Sequence, residues 1–194
     1  MKYIVGSDEC GYGAWAGPLV VCAVSVPVAW VPPIGLNDSK RLDEWERMRV
    51  YKQLMDDADH VRSVLLAVDN RTIDRVGLGV ANKAAHVQAV TALRAEFPDS
   101  EVIVDGNLKL PIPWARSIPK ADTLYPAVMA ASIIAKINRD NVMRSFHRQY
   151  PDYGWDTNVG YGTEKHEAGL RQHGVTPLHR RSYRPIRKLL ETTT

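Results

Sequence analysis

The chain reads as an α/β protein carrying a small helical C-terminal appendage, and three features of the sequence lead there. Strand and helix signals alternate through the first seventy residues. An apolar run starting at Pro126 is too long to be a strand and reads as a buried helix. After residue 152 the texture changes to Gly, Asn, Thr and aromatic residues, and then to a basic terminal stretch. A main domain over residues 1–152 and an appended segment over residues 153–194 are therefore expected.

Residues 3–8 form a first strand, Gly11-Tyr12-Gly13 a turn, and residues 18–26 a β-branched strand, together a hairpin. After the loop containing Pro32-Pro33 and Asn37-Asp38, Asp43 with Glu46 three residues on makes a capping box that opens a helix running to residue 55; residues 60–68 are a third strand. Apolar side chains at positions 73, 76, 80, 84, 87, 90 and 93 keep a helical period interrupted near Gly77 and Gly79, which predicts a short helical turn feeding one long helix. Residues 101–105 form a strand that stops at Gly106-Asn107, and residues 114–118 form another. Pro126 suits the first turn of a helix reaching about Tyr150. Thr163 caps a further helix that Gly174 ends, and Pro177 leads into a basic terminal helix.

Composition narrows the function classes. At 194 residues, with 45% hydrophobic and 24% charged side chains, the chain can bury roughly 70% of its unfolded surface without a disulfide or structural metal. Its two cysteines, Cys10 and Cys22, make no zinc pattern, and its longest apolar stretch, residues 19–30, is interrupted and too short to span a bilayer. A cytoplasmic, reducing location without membrane association is expected. The net charge of +3 announces no polyanion by itself. Its distribution says more: Arg171, Arg180, Arg181, Arg184, Arg187 and Lys188 fall in an acid-free stretch with His173, His179 and Tyr183 interleaved. A phosphate-facing patch and a solvated terminal helix explain such a run equally well.

Acidic residues mark the candidate chemistry. Asp8-Glu9 follows a hydrophobic strand and precedes a glycine turn, but adjacent strand residues point to opposite faces, so both serve one site only if the strand ends or bulges there. Taken alone, the pair fits a solvated strand end as well as a metal site. Asp105 ends its own strand, and Asp122 lies four residues before Pro126. Carboxylates converging at strand ends would repel one another unless a cation relieved them, and oxygen-rich clusters suit Mg²⁺ or Mn²⁺ better than zinc. Zinc-protease and dinucleotide templates fail on spacing: His166 and His173 are seven residues apart, and Gly11, Gly13 and Gly17 do not open a helix.

Six motifs together resemble the type 2 ribonuclease H family. They are Asp8-Glu9-x-Gly11-x-Gly13-x-x-Ala16-Gly17-Pro18, Leu36-Asn37-Asp38-Ser39-Lys40, Val104-Asp105-Gly106-Asn107, the run Ala130-Ala131-Ser132-Ile133-Ile134-Ala135-Lys136, Gly160-Tyr161-Gly162-Thr163, and Thr176-Pro177-x-His179-Arg180-Arg181-Ser182-Tyr183, in the family's order over nearly the whole chain. The resemblance implies a ribonuclease H-like fold, with a five-stranded mixed sheet flanked by helices. It implies a metal-dependent endoribonuclease that hydrolyses RNA in RNA/DNA hybrids and ribonucleotides embedded in duplex DNA, leaving 3′-hydroxyl and 5′-phosphate ends. Asp8, Glu9, Asp105 and Asp122 would hold two divalent ions, Mg²⁺ or Mn²⁺. Gly11, Tyr12 and Gly13 would approach the ribose 2′-hydroxyl, Tyr161 would stack on the following deoxyribose, and Asn37, Lys40, Ser132, Lys136, Arg180 and Arg181 would hold phosphates. A monomer is expected. The chain departs from the family at Tyr12, where Arg is usual, so a nuclease with weaker preference for the RNA–DNA junction is the alternative reading; a non-catalytic hybrid-binding protein is another.

Overall fold

The computed structural model describes residues 2–192. Its centre is a five-stranded mixed sheet in the order β3-β2-β1-β4-β5, with β1 Tyr3–Cys10, β2 Leu19–Pro27, β3 Arg62–Val68, β4 Glu101–Asp105 and β5 Ala115–Ile118. The hairpin is present: β1 and β2 pair antiparallel from Tyr3 opposite Pro27 to Cys10 opposite Val20. β4 lies parallel to β1 on its other side, and β5 parallel to β4. All nine residues of β2 are buried, which is why its sequence is apolar at nearly every position, Ser25 apart, with no alternation.

Local signals set most helices where the sequence puts them. Helix α1, Glu44–Asp56, opens on the complete Asp43–Glu46 capping box. Helix α2, Asn70–Val76, stops at Gly77, and α3 runs over Leu78–Glu96. The phase of α3 differs from the expected stripe. Val80 and Ala84 are exposed, and the buried face is Ala81, Asn82, Ala85, His86, Ala89, Val90 and Leu93. Hydrophobicity could not set this phase, because alanines lie on both faces and the buried face also carries two polar residues.

Helix α4, Pro126–Gln149, begins against β1. A Cβ at Gly6 would overlap the backbone of Ala127 and Val128, so glycine there is what lets the start of α4 lie on the strand that carries Asp8. The core on this side joins Val20, Val24 and Val26 of β2 to Val50 and Leu54 of α1 and to Ile133 and Ile134 of α4.

By its internal packing the chain forms two compact units. One comprises the chain up to Cys10, Val20–Leu66 and Asn82–Ile137; the other comprises Gly11–Leu19, Ala67–Ala81 and the chain from Asn138 onward. The second unit therefore contains all the described residues from 153 onward, together with the glycine turn and the last half of α4. Its core is Met143, Tyr153, Trp155, Leu170 and Ile186. The short helix α5, Trp155–Asn158, lies in the stretch rich in Gly, Asn, Thr and aromatic residues, where no helix is expected from the sequence, while α6, Glu164–His173, has its Thr163 cap and Gly174 end. The terminal helix α7 begins at Arg184.

Candidate active site

Three of the four acids meet in the first unit. Parallel pairing brings the C-terminal ends of β1 and β4 together, with Ser7 opposite Val104, so Asp8 and Asp105, one residue further on each strand, lie at the same sheet end. Asp122 comes from a 3₁₀ turn, Ala121–Thr123, that the Asp105 carboxylate caps: Asp105 Oδ1 accepts from the Ala121 amide at 2.6 Å and the Asp122 amide at 3.4 Å. One carboxylate oxygen from each of Asp8, Asp105 and Asp122 lies within 4.8 Å of the others. Asp8 and Asp122 are buried and Asp105 half-buried.

This crowding has an electrostatic cost. Burial raises the Asp8 carboxyl well above the ordinary carboxylate range, and the charges of Glu9 and Asp105 raise it further. Asp105 is raised by burial and then by Asp122. The Lys40 ammonium reaches Asp122 Oδ2 at 3.2 Å. Burial alone would lower the Lys40 pKa, but its hydrogen bond to Asp122 and the charges of Asp122, Asp8 and Asp38 outweigh this and raise it. One largely exposed lysine offsets only part of the negative charge. The donor set is all oxygen and its carboxylates repel one another, so it fits a hard divalent cation such as Mg²⁺ or Mn²⁺.

Glu9 stands apart from this group. The strand neither ends nor bulges at Asp8: pairing stays regular through Asp8 opposite Cys22, Glu9 opposite Val21 and Cys10 opposite Val20. Pleating therefore sends Glu9 to the other face, where its Oε2 lies 3.1 Å from His86 Nε2 on α3. The expected four-acid set is thus found as three gathered aspartates and a neighbouring glutamate engaged with a histidine.

Other expected residues of this unit surround the aspartates. Asn37 Oδ1 accepts from the Asp38 amide and Asp38 Oδ1 from the Lys40 amide, which fixes the loop that presents Lys40. Ser132 on α4 donates to Asp8 and lies 2.8 Å from Ser39 Oγ, so its hydroxyl proton is committed to the carboxylate. Lys136 follows one turn later, half-buried.

The second unit holds Gly11, Tyr12, Gly13, Tyr161, Arg180 and Arg181. Two buried arginines shape its turn. Arg139, fully buried, donates from Nε to Pro18 O, from Nη1 to Val159 O and from Nη2 to Ala16 O, at 2.9, 2.8 and 3.2 Å. Gly11, at φ 91°, packs so tightly on Arg139 that a Cβ there would overlap the guanidinium. Arg180 was expected at a phosphate, but it is fully buried, donating to Gly17 O and Tyr12 O at 3.0 Å and to Tyr183 Oη at 2.7 Å. Its Nε and Nη1 serve two loop carbonyls and a tyrosine hydroxyl while the buried Nη2 has no hydrogen-bond partner among the described residues, whereas Arg181 and the other basic residues of that stretch, Arg171, Arg184, Arg187 and Lys188, are exposed.

The loop carrying Tyr161 is held just as firmly. Val159 adopts φ 43°, a left-handed conformation that a β-branched residue rarely tolerates, and Arg139 binds its carbonyl. The Gly160 carbonyl accepts from the Trp15 and Ala16 amides. A pair of buried histidines completes the support. The Thr176 amide donates to His179 Nδ1, so the His179 proton sits on Nε2, 3.0 Å from His166 Nε2. Trp155 also donates to His166 Nε2, which leaves His166 Nδ1 as the donor to the Tyr161 carbonyl at 3.0 Å. Both rings are therefore neutral. Burial lowers the His166 pKa and, with His166 nearby, lowers that of His179 to about 3. Sequence reasoning missed Arg139, His86 and the role of His166. A charged or polar residue inside an otherwise apolar helical face was the available signal for the first two.

Known proteins supply the remaining test. The sequence pattern of the family described as Ribonuclease HII matches residues 5–186. Ribonuclease HII of Anaplasma phagocytophilum (strain HZ) is 41% identical over 98% of this chain and 90% of its own length, and that of Dichelobacter nodosus (strain VCS1703A) is 42% identical over 97% of each. The crystal structure of the ribonuclease H2 from Pyrococcus horikoshii OT3 superposes with a TM-score of 0.79 over 98% of both chains at 26% identity. With the motifs in order, the mixed sheet in place and the aspartates gathered at its end, the chain belongs to the ribonuclease HII family of phosphodiester-cleaving ribonucleases.

Proposed function

We propose that this enzyme cuts the RNA strand of RNA/DNA hybrids and single ribonucleotides embedded in duplex DNA, giving 3′-hydroxyl and 5′-phosphate ends with the help of two divalent cations. The observation that carries this reading is the gathering of Asp8, Asp105 and Asp122 within 4.8 Å, their charge only partly met by Lys40. Asp8, Asp105 and Asp122, with Glu9 beside them, would hold Mg²⁺ or Mn²⁺. Such ions, when bound, activate the attacking water and stabilise the leaving 3′ oxygen. The acids are complete within one chain, which supports action as a monomer.

The protein's own residues divide the rest of the work. Lys40, Lys136 and Arg181 would meet phosphates, while Asn37 shapes the Lys40 loop and Ser132 orients Asp8. Arg180 acts from beneath as the support of the turn. The Tyr12 carbonyl already accepts from Arg180 and from Tyr183 Oη, so its lone pairs are used. Recognition of a 2′-hydroxyl by the Gly11–Gly13 turn would then fall to amide N–H groups, with Tyr161 set against the next sugar. Tyr12 is neutral and exposed where a cation is usual, which favours a weaker hold on the junction phosphate.

A cleavage assay tests the proposal: a duplex with one embedded ribonucleotide beside a long hybrid, in Mg²⁺, Mn²⁺, Ca²⁺ or chelator. Cutting at the ribonucleotide in Mg²⁺ or Mn²⁺ with little in Ca²⁺ is expected, because the larger ion fits the geometry poorly. Equal activity in chelator, or none on either substrate, would overturn it.

A further inference from the structure

The buried face of α3 carries a polar device that the chemistry described so far does not use. Along that face, Ala81, Ala85, Ala89, Val90 and Leu93 are ordinary packing residues, yet His86 among them has no exposed surface. A leucine would fill such a place without desolvating two ring nitrogens, whereas a buried imidazole is tolerated only when both are hydrogen-bonded. Both are. Nδ1 lies 2.8 Å from Ser7 Oγ and Nε2 lies 3.1 Å from Glu9 Oε2.

The placement of these partners gives the device its direction. Ser7 and Glu9 are two residues apart on β1, so they share a face, opposite to that of Asp8. One imidazole bridges them. Ser7 is itself pinned to the neighbouring strand, with Oγ 2.9 Å from the Cys22 carbonyl. A fixed chain therefore runs from β2 through Ser7 and His86 to a single oxygen of Glu9. Glu9 needs such a restraint: it is a long side chain on a regular strand, pleated away from the aspartates, yet close enough for its charge to act on Asp8 and Asp105. With Oε2 held by His86, the carboxylate keeps one orientation and retains a second oxygen.

We propose that His86 is the positioning residue for Glu9, holding that carboxylate in the orientation in which it serves as the fourth oxygen ligand of the cation site. This rests on the reading of Glu9 as a ligand under Proposed function. Partners of this kind that orient a ligating carboxylate or imidazole typically contribute ten- to hundredfold in metal affinity.

The test is a Mn²⁺ titration of the full chain without substrate, by calorimetry and by the electron paramagnetic resonance of free Mn²⁺, with thermal unfolding as control. His86→Leu should weaken Mn²⁺ binding by roughly tenfold or more. His86→Asn keeps a polar group toward Ser7 but is too short for Glu9, and should weaken binding similarly. His86→Gln reaches Glu9 with an amide N–H and should recover most of the affinity. In turnover, the Leu and Asn variants should need more Mn²⁺ for half-maximal rate while KM for the hybrid stays constant. A folded His86→Leu with the wild-type isotherm would sink the proposal, and if that variant does not fold, equal affinity in the Asn and Gln variants would do the same. Glu9→Gln separates the two levels: wild-type Mn²⁺ affinity in that variant overturns Glu9 as a ligand, whereas lost affinity there with none lost in His86→Leu overturns only the positioning role.

Discussion

Buried ionisable side chains occur in both units of this protein, and they do opposite things. In the first unit, Asp8, Asp105 and Asp122 face one another, and burial together with neighbouring charges raises the proton affinity of Asp8 and Asp105. In the second, Arg139 and Arg180 face backbone carbonyls, and His166 and His179 form a neutral chain ending on the Tyr161 carbonyl. Burial is shared, so burial alone does not separate a reactive group from a scaffold. The partner does. Like charges held together store unfavourable energy that a cation releases, whereas a guanidinium spread over three carbonyls has little left to offer a ligand.

The sharpest way to break this contrast is to neutralise each kind of group in turn. Asp8→Asn, Asp105→Asn or Asp122→Asn should each cost on the order of 10³-fold in kcat, since a bound metal supplies several kcal/mol of transition-state stabilisation. Folding should be unharmed, with Asp8→Asn the clearest case because it removes a charge that burial and two neighbours disfavour. A folded variant with near-normal turnover at low metal concentration would remove that aspartate from the site. Arg139→Met should behave in reverse. It strands the carbonyls of Ala16, Pro18 and Val159, at about 1 to 3 kcal/mol for each one left unpaired, so the unfolding midpoint should fall. Any loss of activity should follow from displaced geometry, with the salt dependence of binding unchanged. An unaltered midpoint would show the guanidinium to be no scaffold.

The histidine pair gives a test with a defined sign. The folded-state pKa of His179 is depressed to about 3, so between there and the ordinary 6.5 the unfolded chain binds a proton that the folded chain refuses. Stability from this group is complete above pH 6.5 and is lost as pH falls toward 3, on the order of 1.4 kcal/mol per pH unit across that window. The raised carboxyls of Asp8 and Asp105 act in the opposite sense, so the informative quantity is wild type minus His179→Asn, which keeps an acceptor for the Thr176 amide. That difference should shrink steadily below pH 6.5 in denaturant melts. A constant difference from pH 7 to pH 4 would mean the buried ring is not held neutral.

What could be read from the sequence follows the same physical division. Capping residues, glycine stops and β-branched runs act over a few positions, so β1, β2, α1, the break at Gly77, α4 and α6 were legible. Asp105 and Asp122 were legible because strand ends and helix starts announce themselves. The phase of α3 was not, because alanines lie on both its faces and the strand opposite decides which is buried. Arg139 and His86 were legible only as anomalies, polar residues on otherwise apolar helical faces. Their roles were not, because their partners are carbonyls of a distant loop and two side chains of β1, which leave no pattern in the local sequence. The burial of Arg180 was not legible, because a basic stretch looks the same whether a guanidinium points outward or under a loop.

The smallest expected effects belong to the exposed cations and to Tyr12. Replacing Arg181 with Ala should lower the slope of log affinity against log salt by up to ~0.9 on a duplex, whereas Arg180→Met should leave the slope nearly unchanged while destabilising the turn. Tyr12 carries the contrast into the turn itself. Its carbonyl is held from beneath by Arg180 and Tyr183, so its backbone place does not depend on its side chain, which is 44% exposed. Tyr12→Arg should therefore add a cation without moving the turn. A contact made at an exposed position is screened and contributes only up to about 1 kcal/mol, so the gain on a single embedded ribonucleotide should be about threefold to fivefold at low salt and should fade as salt rises. Tyr12→Ala separates this from stacking. If the phenol ring packs on the substrate, both variants lose rate at every salt concentration; if the ring is a bystander, only the arginine variant departs from wild type, and only at low salt.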